Sequence, residues 1–221
     1  LYLIPTFQNP SGRTLSMERR TRVVELAQEH DLLVLEDDPY GLVRYEGEAM
    51  PSLFELSGGA TAYSSSFSKT IAPGLRVGWF VFPEGLAREI EATATATYIT
   101  PVLLGQATVN EFVRRGSFEP NLERIKGLLG ARRDAMLEAL DRDLPDVRAT
   151  RPEGGYFVWL ELGGVDGAGL LARAEDAGVT FIKGTDFGGA PDTARLAFSF
   201  VSTDEIRDGV ARLAAALPVA A

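Results

Sequence analysis

The chain of 221 residues contains no cysteine, which excludes disulfides and thiol chemistry. It contains one histidine, His30, which argues against a histidine-built metal site and against a Ser–His triad. No apolar run approaches the ~20 residues that a membrane span needs, and no signal-peptide pattern is visible. Basic side chains are the minority, 22 against 31 acidic, for a net charge of −9. That balance argues against nucleic acid or an anionic membrane as the main partner, and any anion site has to be a local exception. A cytoplasmic location is the expectation. Hydrophobic residues, at 45 %, are sufficient for a core.

What is present centres on residues 61–82, TAYSSSFSKTIAPGLRVGWFVF. Lys69 follows a serine-rich, strand-like run, and Arg76 opens a second one. Only six residues, Thr70 to Leu75, separate them. A parallel crossover needs about a dozen residues or more, so neighbouring strands here must be antiparallel. Lys69 and Arg76 then lie at one edge of the sheet. A reactive amine beside a fixed cation suits a phosphorylated carbonyl compound.

The chain opens at Leu1, inside a strand-like run, and is therefore expected to be a piece of something longer. Tyr2–Thr6 reads as a strand and runs into the loop formers Gln8-Asn9-Pro10-Ser11-Gly12. Ser16 is placed to cap a helix reaching about His30, with Val23, Val24 and Ala27 in its apolar stripe. Leu32–Leu35 is a continuous apolar run, as in a parallel strand buried on both faces, and it stops at Glu36-Asp37-Asp38-Pro39-Tyr40-Gly41. Ala62–Ser66 and Val77–Phe82 are the next two strands. A helical region begins near Leu86, is interrupted around Thr100-Pro101, and resumes to about Arg115. Gly116 and Pro120 break it, and Asn121–Leu140 is another helix. From Val147 the texture changes. Strands are expected at Val147–Thr150, Tyr156–Leu162, Val179–Lys183 and Ala194–Val201. Gly167–Ala177 reads as a helix, and Thr203 as the cap of a last helix ending near Leu217. This half is α+β, an antiparallel sheet with helices on one face. A boundary is expected near residue 90.

Ligands of open α/β sheets bind outside the carboxyl ends of the strands. Asn9 follows the first strand, Asp37 and Tyr40 the second, Lys69 the third, and Arg76 starts the antiparallel fourth. Each has a plainer reading: a turn asparagine, a solvated acidic loop, a packed tyrosine, a surface lysine, a strand-start arginine. Their convergence on one rim favours a site. Pyridoxal phosphate (PLP) chemistry asks for this set. A lysine forms a Schiff base with the cofactor aldehyde, and a carboxylate keeps the pyridine nitrogen protonated so that the ring draws electrons. A phenol and an amide hold the ring oxygen, and an arginine with serine hydroxyls grips the phosphate.

Five blocks in order, PTFQNPSGRTLS, LEDDPYGLVRY, SSSFSKTIAPGLRVGW, RPEGGYFVW and ARLAFSF, carry a resemblance. The chain resembles the class I/II aminotransferases of PLP fold type I, in the branch of 2-aminoadipate, kynurenine and broad-specificity enzymes. The resemblance implies an α/β fold: a partial large domain over 1–90, mostly parallel with one antiparallel strand. An α+β small domain with the interdomain helix would fill 91–221. It implies Lys69 as the Schiff-base lysine and proton shuttle, and Asp37 at the pyridine nitrogen. Tyr40 and Asn9 would hold the ring oxygen, and Ser66, Ser68 and Arg76 the phosphate. Arg195, with Asn9, would bind the substrate carboxylate. In a strand Arg195, Ala197 and Ser199 share one face, with Leu196, Phe198 and Phe200 on the other. The implied reaction is ping-pong transfer between an L-amino acid and a 2-oxo acid, 2-oxoglutarate being the expected acceptor.

The resemblance covers only the family's C-terminal part. Its four strands would be the middle of a seven-stranded sheet, bare on both flanks. The fragment is therefore expected to fold poorly alone and to have little transaminase activity. The family implies a homodimer, with no nucleic acid or membrane partner. Two other readings compete: the aminotransferase-like effector domain of a winged-helix regulator, and a PLP-dependent lyase on the same fold. Asn121 stands where relatives often have histidine, a change expected to leave the cofactor residues untouched.

Overall fold

The computed structural model describes residues 1–218. The fold is α/β with two four-stranded sheets. The first sheet has the order β1-β2-β3-β4, formed by Tyr2–Leu3, Leu35–Asp37, Ala62–Ser66 and Gly78–Val81. β1, β2 and β3 are parallel, and β4 is antiparallel to β3, as the short Lys69–Arg76 gap requires. The second sheet is antiparallel throughout, in the order β5-β6-β8-β7. Its strands are Arg148–Ala149, Phe157–Glu161, Thr193–Ala197 and Ile182–Lys183.

Helix α1 spans Met17–Glu29, and Ser16 caps it by accepting from the Arg19 N–H. The α1 side chains Val24 and Ala27 pack with Val34 and Leu53, joined by Leu3, Val23 and Leu56. Leu53 opens the one-turn helix α2, Leu53–Leu56, which begins with a capping box between Ser52 and Glu55. These contacts cover one face of the first sheet.

Several boundaries differ from those the sequence suggests. β1 ends at Leu3 because Pro5 has no N–H to continue the ladder. Leu32 and Leu33 do not join β2 and are half exposed. Leu32 instead closes α1: with Asp31 left-handed (φ 50°), its N–H donates to the Ala27 carbonyl. Helix α3 spans Glu84–Tyr98 and α4 Leu103–Arg114, separated by the left-handed Ile99 and Pro101. Pro120 does not break a helix. It lies in the first turn of α5, Phe118–Asp143, where backbone N–H groups lack intrahelical partners anyway. Helix α6 spans Gly167–Asp176. The last helix, α7 (Thr203–Ala216), is capped by Ser202 rather than Thr203, because Ser202 completes a capping box with Glu205.

Contacts divide the chain into two compact units. One comprises Leu1–Thr6 and Thr14–Lys126, the other Phe7–Arg13 and Gly127–Ala221. α4 stays with the first unit for a steric reason. Gly105 lies so close to the turn Pro73–Leu75 that a Cβ there would sit 2.5 Å from the Leu75 carbonyl oxygen. In the second unit Val158 pairs with Leu196 and Leu160 with Ala194, and all four are buried. Phe198 is buried with them, but Phe200 is 91 % exposed and does not share that face. The strand stops at Ala197, and Arg132 donates to the Ser199 and Phe200 carbonyls, bending the chain away.

Candidate functional site

The register of the first sheet puts Tyr2 opposite Leu35, and Asp37 opposite Ser64. Leu35 and Asp37 share a face, so Tyr2, Asp37, Ser64 and Ser66 line one side of the sheet. Asp37 is held through both oxygens: Ser64 Oγ donates to Oδ1 at 2.8 Å, and Tyr2 Oη donates to Oδ2 at 2.6 Å. Burial and this hydrogen bond to Asp37 push the Tyr2 phenol up to about 12, so it remains a protonated donor.

The adjacent acids serve other ends. Glu36 points to the opposite face, accepts from the Phe54 N–H and lies 3.9 Å from Arg20. Both are 1 % exposed, and burial pushes Glu36 up and Arg20 down. Arg20 donates to the Pro5, Leu15 and Pro51 carbonyls and to Thr6 Oγ1, which ties the end of β1 to the start of α1. Asp38 accepts from the Gly41 N–H at 2.7 Å and the Tyr63 hydroxyl at 3.0 Å, and burial pushes it up. Asp38 is thus committed to the turn that carries Tyr40, and only Asp37 remains on the face of Ser64 and Ser66. Neither is a solvated loop residue.

The sequence has three lysines. Lys126 pairs with Glu123 at 2.8 Å and Lys183 pairs with Asp186. Lys69 follows β3 in a tight turn, where the Thr70, Ile71 and Ala72 N–H groups all donate to the Phe67 carbonyl. Its Nζ lies 5.9 Å from the ring centroid of Tyr40, which is buried at 5 % exposure. Ser66 Oγ accepts from the Ser68 N–H at 3.3 Å, leaving its own hydroxyl hydrogen to be donated. Asn121 reaches this turn as well: its Nδ2 donates to the Thr70 carbonyl at 2.8 Å. The residue at 121 thus touches the segment that carries the lysine.

Arg76 does not open β4. It precedes the strand by two residues in a left-handed conformation (φ 55°), exposed, with Nη1 3.4 Å from the Pro73 carbonyl. A non-glycine residue held there is strained, and such strain gathers at functional sites.

The second unit carries the other two residues singled out. Asn9 belongs to it by its contacts. Asn9 lies in a loop closed by Gln8 N–H to Arg13 carbonyl and Gly12 N–H to Gln8 carbonyl bonds, and its peptide to Pro10 is cis. Gly12 has φ 67°, and a Cβ there would sit 2.6 Å from the Phe157 carbonyl oxygen, so glycine is required. Arg195 Nη1 donates to Asn9 Oδ1 at 2.8 Å. An arginine is donor-only, which fixes the amide orientation and leaves the Asn9 Nδ2 donors for an acceptor. The guanidinium carbon lies 4.2 Å from the Phe157 ring centroid and 4.9 Å from that of Phe187. Arginine is the side chain suited to such stacked, in-plane recognition of a carboxylate.

Tyr2, Ser64, Phe157 and Phe187 touch the residues singled out, and sequence reasoning misses them. Trp159 is the register partner of Arg195.

Comparison with known proteins gives the family. Residues 2–213 match the family model "Aminotransferase class I and II". The 2-aminoadipate transaminase of Thermus thermophilus is 43 % identical over 98 % of this chain and 57 % of its own length. Aromatic-amino-acid aminotransferase 1 of Thermococcus litoralis is 38 % identical over 97 % of this chain and 53 % of its own. The crystal structure of Pyrococcus horikoshii kynurenine aminotransferase with PMP superposes with a TM-score of 0.93 at 39 % identity, over 97 % of this chain and 55 % of that one. The chain thus spans little more than half the length of the relatives it matches. With its parallel sheet closed by one antiparallel strand, it belongs to the class I and II aminotransferases, the pyridoxal 5'-phosphate enzymes of fold type I.

Proposed function

We propose that this chain supplies the cofactor-holding and carboxylate-binding residues of an aminotransferase moving an amino group between an L-amino acid and a 2-oxo acid, 2-oxoglutarate being the expected acceptor. The observation that carries the reading is the setting of Asp37, the one acid of three consecutive carboxylates held on the face of Ser64 and Ser66 at the rim that carries Lys69. The donor set fits pyridoxal phosphate: an oriented carboxylate, a buried phenol, serine hydroxyls and an amine in one unit. When bound, that group supplies an aldehyde for the substrate nitrogen and a ring that draws electrons from the α-carbon.

The chain's residues do the rest. Asp37 would keep a proton at the ring nitrogen, since opposite charges at close range favour both charged forms. Tyr40 Oη, and Asn9 through its Nδ2, would be the donors for the ring oxygen. Ser66, Ser68 and Arg76 would hold the phosphate, and Arg195 would bind the substrate carboxylate. Lys69 Nζ would hold the cofactor and serve as the base and acid that moves the α-carbon proton. Turnover belongs to a chain of the relatives' length, expected as a cytoplasmic homodimer, and the 221 residues alone should show little. Exposed apolar side chains such as Phe80, Leu103 and Leu104 support that expectation.

In the full-length protein, Lys69→Ala should lower kcat for transfer to 2-oxoglutarate by ~10²–10⁴-fold, the usual share of a positioned acid–base group. Undiminished turnover in that variant would remove the lysine from the mechanism.

A further inference from the structure

We propose that Tyr2 is a positioning residue for the cofactor acid. Its phenol fixes Asp37 Oδ2 and so would aim that carboxylate at a pyridine nitrogen. The inference rests on the function proposed above and adds a residue to it.

Three observations converge. First, the placement is dictated by register: Tyr2 pairs with Leu35 in the parallel ladder, and Asp37 lies one step further along the same face. A long, rigid side chain leaning along β1 spans that step, which neither serine nor threonine could. Second, the bond is short, 2.6 Å, and ends on the oxygen that Ser64 leaves alone. The two donors fix the plane of the carboxylate while each oxygen keeps a further lone-pair site. Third, the neighbouring acids are already committed. Glu36 is held by the Phe54 N–H beside Arg20, and Asp38 by Gly41 and Tyr63, so the phenol serves Asp37 alone among them.

A carboxylate held in one plane would meet a pyridinium N–H with an aimed lone pair, and opposite charges at close range favour both charged forms. Loss of that aim would weaken the pair and with it the protonation of the ring nitrogen. A phenol pushed up to about 12 cannot itself ionise near neutral pH and repel the acid. Fixing the carboxylate plane also aims the remaining lone pairs, as outer-shell partners do for other cofactor ligands.

The test uses the full-length protein as wild type, Tyr2→Phe and Asp37→Asn, each converted to the apo form and titrated with pyridoxal phosphate. The protonation of the ring nitrogen is read by nitrogen-15 resonance of labelled cofactor, and folding by circular dichroism. Tyr2→Phe keeps the ring and removes only the donor. It should weaken cofactor binding by about ten-fold, the worth of one hydrogen bond to a charged group, and move the nitrogen resonance toward the unprotonated position. A purely structural tyrosine would leave the resonance where it is. If Asp37→Asn shifts both readouts and Tyr2→Phe shifts neither, the role of Tyr2 is refuted while the function stands. If Asp37→Asn shifts neither, the proposed cofactor acid is itself wrong.

Discussion

The two units bury different chemistry. The first buries Thr6, Arg20, Glu36, Thr61, Ser64 and Thr70, whereas Thr193 is the one buried polar residue of the second among those described. The second builds an ordinary apolar interior: Val158, Leu160, Phe198 and Ala174 are at 0 % exposure, and Leu170, Ile206, Val210 and Leu213 join them. The first leaves apolar side chains outside, and α3 has no buried residue at all. Buried polar groups are costly unless hydrogen-bonded. Here Arg20 and Thr6 fix the end of β1, the Phe54 N–H holds Glu36, and Ser64 holds Asp37. One unit gives up apolar burial to aim a polar rim, and the other holds Arg195 on a well-packed sheet.

The sharpest way to break this contrast is to make the same change in both. Leu160→Ala in the second unit, at 0 % exposure, should cost about 2–5 kcal/mol in denaturant unfolding. Leu103→Ala in the first, at 74 % exposure, should stay within ~0.5 kcal/mol. Equal costs would mean that the exposed face of the first unit is covered in solution.

A smaller effect should separate the units by pH. Burial raises Asp38, so its protonated form is favoured when folded, and stability should fall as pH rises from about 4, the unfolded value, through the folded one. Asp38→Asn should cost about 1–3 kcal/mol through a lost acceptor but flatten that decline. Persistence of the same slope would assign it to other groups. Glu205 is shifted the opposite way, lowered by its bonds to Ser202, so its contribution is present above pH ~4 and lost on acidification. Ser202→Ala removes the cap of α7 and should cost about 1 kcal/mol. Recovery of that loss by Ser202→Asp, but not by Ser202→Val, would identify the side-chain oxygen as the cause.

What the sequence made legible was local. Ser16 and His30 bracket α1 because caps act within one turn, and the Lys69–Arg76 spacing alone forces β3 and β4 to be antiparallel. Lys69, Asp37 and Tyr40 stood out through their spacing within short blocks. What escaped needed distant pairing. The bond from Tyr2 to Asp37 depends on parallel register, and the bond from Asn121 to Thr70 crosses 51 residues. That Asn9 packs with the second unit depends on the chain leaving the first at Phe7 and returning at Thr14, which no local pattern announces. Arg76 looked like a strand start because nothing in its identity announces a left-handed backbone.

The central claim is that Lys69, of three lysines, holds the cofactor. The full-length protein should be incubated with pyridoxal phosphate, reduced with borohydride, digested and mapped by mass. The account predicts the phosphopyridoxyl mass on the peptide containing Lys69 and on no other. Labelling at Lys126 or Lys183 instead, or no adduct on a folded protein, would contradict it.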